Sequence, residues 1–89
     1  MDEFTWDLEF DLDVPHGVPV RGIVVKIRME PPTAGAMIYG KLATGARGSV
    51  EIKASTESRE LPFVDPHIWV KRLRGLTAIE VIALGWREI

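Results

Sequence analysis

Asp7, Glu9 and Asp11, with Asp13 behind them, stand two residues apart near the N-terminus, the spacing that sets carboxylates along one face of an extended strand. Carboxylates in a row suggest a hard cation such as calcium. Neighbours on that face are about 6.5–7 Å apart along the strand, too far to share one ion without a loop, and the spacing is not that of an EF-hand loop. The row reads instead as a charged edge or as one half of a salt-bridged contact, with Lys26, Arg28 or the basic segment 71–74 as partners. Lys71, Arg72 and Arg74 beside Trp69 form that basic-aromatic segment, a composition that can meet nucleic acid. The chain is acidic overall, at net charge −2, and has no RNP, KH or helix-turn-helix signature, so nucleic acid is not the expected partner.

His16 and His67 each sit in a Pro-flanked turn and do not by themselves make a metal site. No serine or threonine lies in a nucleophile-elbow setting, no glycine-rich phosphate loop is present, and no carboxylate pair has the context of a general acid and base. The chain therefore reads as a non-enzyme, with no catalytic, cofactor or metal residues to assign. Trp6, Tyr39, Trp69 and Trp86 remain as aromatic faces suited to the apolar faces of sugars. Trp6 falls on the apolar side of its strand and is expected in the core, which leaves Tyr39, Trp69 and Trp86 as the candidate glycan-binding residues.

The elements that would carry these residues are strands. Phe4, Trp6, Leu8, Phe10 and Leu12 alternate with polar residues, predicting a first strand with one buried face. Val14-Pro15-His16-Gly17 reads as a turn. Val20–Glu30 alternates again, with Ile23, Val25, Ile27 and Met29 on one face and Lys26 and Arg28 on the other, until Pro31-Pro32 ends it. A third strand is expected in 36–43, a turn over Thr44–Gly48, a fourth strand through Val50, Ile52 and Ala54, and a polar connection at 55–58. Residues 61–66 admit only a short edge strand or an irregular segment, followed by strands at Ile68–Leu73 and Leu76–Trp86. Gly and Pro punctuate the chain about every ten residues, the pattern of a sandwich or barrel. One all-β domain over residues 1–89 is expected: an antiparallel jelly-roll-like β-sandwich of six to eight strands, with a small OB-like barrel as the alternative.

Association is the second expectation. A chain of 89 residues has room for one modest core, yet 46% of its residues are hydrophobic. The last strand is apolar on both faces: Ile79, Val81 and Ala83 on one, Ile82, Leu84 and Trp86 on the other, which calls for cover on both. Residues 1–20 carry charge −6 and the remainder +4, so the first strand complements the rest of the fold or a neighbour's surface. Asp7, Glu9, Asp11, Lys26, Arg28, Ile82, Leu84 and Trp86 are accordingly the candidate oligomer-interface residues. With no cysteine, disulfides and thiolate metal sites are unavailable, and no signal peptide or membrane span is evident.

Val14-Pro15-His16-Gly17, the strand Arg21-Gly22-Ile23-Val24-Val25 and the closing Ile79–Trp86 with its Gly85-Trp86 pair resemble small jelly-roll-like modules of bacteriophage tail, fibre and virion-decoration proteins. The resemblance spans about three-quarters of the chain and implies a structural or adhesive module. It also implies a homo-oligomer, a trimer by preference, that meets other virion proteins, is made in the host cytoplasm and is built into the virion.

Overall fold

The structure, a computed structural model, describes residues 5–15 and 17–89; Phe4 of the predicted first strand, and His16 of the predicted turn, lie outside the described residues. Seven strands follow one another: β1 (Leu8–Asp11), β2 (Val20–Glu30), β3 (Ala36–Lys41), β4 (Arg47–Ile52), β5 (Thr56–Leu61), β6 (His67–Arg72) and β7 (Ala78–Glu88). They form two antiparallel sheets, ordered β1-β6-β3-β4 and β5-β2-β7. Among the described residues this order fills seven of the eight strand places of a jelly roll, and the place beside β7 holds no described strand. The fold is thus the jelly-roll-like sandwich expected from the sequence, and no helix among the described residues is long and apolar enough to cross a membrane.

Alternation makes the core. Ile23, Val25, Ile27 and Met29 of β2 face Ile38 of β3 and Ile68 and Val70 of β6 across the sandwich, and all are buried. Among the described residues β3–β4 is the only hairpin between sequence neighbours, and every other connection between the seven strands crosses from one sheet to the other. These crossings are tied by backbone bonds. Ser55 N donates to Pro32 O at 2.8 Å while its Oγ accepts from Met29 N at 2.9 Å, fixing the β4–β5 crossing to the end of β2.

Three expectations need correction. The polar segment 55–58 is no mere connection, since it opens β5, an edge strand whose side chains are largely exposed until Leu61. A strand wet on both sides has no apolar alternation to reveal it. β4 begins at Arg47, inside the expected turn, because Gly40 and Gly48 oppose each other in the hairpin and leave room for Phe63 and Leu42. Phe63 itself comes from the irregular 61–66 stretch and is fully buried, the largest side chain at the centre of the core.

Trp6 is the third. It is 44% exposed, because the β1–β6 ladder starts at Leu8↔Val70 and the chain has left the sheet before reaching it. The inward alternation holds only C-terminal to that point, through half-buried Leu8 and Phe10 to buried Leu12 and Val14.

Candidate functional site

Register places a mixed polar and aromatic row across the solvent-facing side of the four-stranded sheet. Glu9 of β1 stands opposite Trp69 of β6, Trp69 opposite Tyr39 of β3, and Tyr39 opposite Ser49 of β4. Antiparallel partners project to the same side, so these four side chains run from one edge to the other. The flanking rows are Asp11 opposite His67 on one side, and Lys71 opposite Met37 opposite Glu51 on the other.

Hydrogen bonding locks this row at its β1 end. Trp69 Nε1 donates to Glu9 Oε1 at 2.9 Å, and His67 Nε2 lies 3.3 Å from the same oxygen. The His67 and Trp69 rings meet edge to face at 4.7 Å between centroids, and Trp6 meets Trp69 likewise at 6.5 Å. His67 is therefore the half-buried first residue of β6 rather than an exposed turn residue, its backbone N–H donating to Asp65 Oδ1 at 3.0 Å. Asp7 completes the seam, accepting from the backbone N–H of Arg72 at 2.7 Å. Asp7 and Glu9 thus engage β6 within the same chain, Asp7 through the Arg72 backbone N–H and Glu9 through Trp69 and His67.

Beside Trp69 lies a shallow groove of about 260 Å³ lined by Gly40, Lys41, Gly45 and Arg47. Its apolar floor and two cations could seat a planar or ring-shaped polar ligand. Sequence reasoning did not single out Lys41 or Arg47, because only the hairpin register brings them beside Trp69 from another strand. Glu9→Ala should lower folding stability by about 0.5–1.5 kcal/mol, the size of an exposed charge-assisted hydrogen bond. Denaturant unfolding followed by tryptophan emission measures it, with a red shift of the native spectrum marking the freed indole.

Lys26, Arg28, Ile82 and Leu84 lie on the other sheet. On its outward side Lys26 opposes Ile82 and Arg28 opposes Glu80, with Val24 between β5 and β7. Lys26 Nζ is 3.6 Å from Glu57 of β5, and Arg87 Nε donates to Glu60 Oε1 at 2.8 Å across Gly22. Ile82 and Leu84 are 43% and 54% exposed among these charges. The eight sequence candidates for an interface therefore occupy two separate sheets, with the acids of β1 on one and the cations and leucine-isoleucine pair on the other.

Trp86 departs from the expected face. The β2–β7 ladder passes from Val25↔Ala83 to Val24↔Gly85, so Leu84 is an extra residue, and this bulge reverses the alternation beyond it. Trp86 opposes buried Ile23 and projects to the core side at the rim of the sandwich, away from Ile82. Of the three glycan candidates, Tyr39 and Trp69 are cross-strand neighbours and Trp86 belongs to the other sheet.

Among the described residues no group of three or more His, Cys, Asp or Glu converges as a metal site would require. No family model, curated protein or solved structure matches this chain.

Proposed function

We propose that the protein is a non-enzymatic structural component of a bacteriophage virion, a tail, collar or capsid-decorating module that assembles as a symmetric oligomer. The observation that carries this reading is the apolar strip of Ile82 and Leu84 on the outward face of the three-stranded sheet, flanked by Lys26, Arg28 and Glu80. An apolar centre within a charged rim is the usual anatomy of a protein interface. The resemblance to virion modules supplies the setting, and capsid, portal or tail genes beside this one would support it.

Sedimentation at concentrations from about 1 to 100 μM, the range of moderate interface affinities, tests the assembly. The parent chain should sediment above its monomer mass of 10.0 kDa. Ile82→Ser with Leu84→Ser should shift it toward monomer while the far-ultraviolet spectrum stays that of a β-protein. A parent that remains monomeric throughout overturns the reading.

A second reading, glycan binding, is favoured by one observation: Trp69 and Tyr39 stand side by side on the open face next to the groove with Lys41 and Arg47. It predicts hits on a glycan array with a change in tryptophan fluorescence that Trp69→Ala abolishes. A flat array removes it.

A further inference from the structure

We propose that the groove beside Trp69 takes one carboxylated sugar ring, a uronic or sialic acid at an end or branch of a glycan, with its carboxylate held between Lys41 and Arg47. This rests on the glycan reading above and names the sugar class. Lys41 of β3 and Arg47 of β4 are directly opposed in the hairpin, and opposed residues project to one side with Cβ atoms about 4.5–5.5 Å apart. Tyr39 stands two residues before Lys41 on the same strand, so this is also the side of Tyr39 and Trp69. Like charges so placed repel and lower stability. Among the described residues no carboxylate pairs with Lys41, whereas Glu51, further along β4, takes Arg74 at 3.3 Å. A repelling pair of cations is a local conflict within the fold, and an anion between the two resolves it.

The rest of the face says which anion. The groove, at about 260 Å³, lies just under the range of drug-sized ligand pockets, about 300–1,000 Å³, which is room for one ring and not for a chain. At its rim Gly45 has a φ of +89°, and a Cβ built there meets nothing within 4 Å, so the remainder of a glycan has an open way out. Across Trp69 from the hairpin stand Glu9, which accepts from the indole N–H at 2.9 Å, and Asp11 in the adjoining row. The face is therefore cationic at the hairpin and anionic along β1.

A single-stranded nucleic acid needs a cationic groove that follows its backbone, and here it would run from two cations into two carboxylates. A ring with one carboxylate presents its charge to the hairpin and an apolar face to Trp69. An arginine fork grips a carboxylate through two parallel N–H bonds, and a lysine adds a compact charge that demands no fixed orientation.

Titration followed by amide and indole chemical shifts compares methyl glucuronide with methyl glucoside, the same ring with a hydroxymethyl group in place of the carboxylate. The methyl glycoside of N-acetylneuraminic acid is the second acid; binding of either acid supports the class, and the tighter one names the source. The favoured acid should bind with a Kd of about 1 mM, as suits a single ring, and at least about tenfold more tightly than the glucoside. Its shifts should centre on Gly40, Lys41, Arg47 and the Trp69 indole. Lys41→Gln and Arg47→Gln should each weaken acid binding about tenfold and leave glucoside binding unchanged. Because Lys41→Gln relieves repulsion, it should melt at or above the temperature of the parent, and a lower melting temperature overturns the proposal. Acid and glucoside binding alike, or variants that bind the acid as the parent does, overturn the carboxylate assignment and leave the glycan reading standing. So does an oligothymidylate or inorganic phosphate that binds more tightly than either acid. No shift with either acid overturns the proposal, and a flat glycan array besides overturns the reading it rests on.

Discussion

Phe63→Ala should cost about 3–5 kcal/mol of folding stability, measured as a fall in the urea midpoint with an unchanged slope. Phe63 is fully buried although its segment is not a strand, and it is the largest side chain in the core. It packs onto the backbone of Gly40, where a built Cβ would come within 2.5–2.8 Å of its ring carbons. Removing the ring therefore empties a space walled partly by rigid sheet backbone, which cannot collapse to refill it. A domain of this size holds on the order of 5–15 kcal/mol in total, so the variant should melt near or below room temperature if its stability lies at the lower end. A loss under about 1 kcal/mol, the range of ordinary surface changes, would show that the ring does not organise the core.

Gly40→Ala attacks the same contact from the other side. The added methyl collides with a ring that has nowhere to go, and overpacking of this kind costs about 1–3 kcal/mol. The twin glycine across the hairpin makes the comparison sharp. At Gly48 the nearest atoms to an added Cβ are the half-buried side-chain carbons of Leu42, at 2.6–2.8 Å, whose flexible end can swing toward solvent. Gly48→Ala should therefore cost clearly less than Gly40→Ala. Because Gly40 and Phe63 share one space, Gly40→Ala combined with Phe63→Ala should lose less than the two losses added. Additive losses would show that the two sites do not touch.

Both predictions concern residues whose importance is invisible along the chain. Gly40 is an unremarked small residue in an expected strand, and Phe63 sits between Pro62 and Pro66 in a stretch with no periodicity. Their partnership arises because the chain crosses from β5 to β6 over the β3–β4 hairpin, with Val64 N donating to Lys41 O at 2.9 Å. Similarly, Glu9 and Trp69 are sixty residues apart and meet only through the β1–β6 ladder.

The sequence by itself determined the class of this protein: alternation in Val20–Glu30 and Ile68–Leu73, with turn residues between strands, leaves no alternative to an all-β chain with one buried face per sheet. It also marked β7 as apolar on both sides, since side-chain period and residue type are local properties. Only the tertiary structure decided which strands pair, because five of the six connections change sheets and no local signal encodes a partner. It separated the acids of β1 from Lys26 and Arg28, set Glu9 against Trp69, and exposed Trp6 where the ladder ends. A single extra residue at Leu84 turned Trp86 to the other face. That reversal comes from the bulge, a relation between two strands, and period two read along one strand cannot contain it.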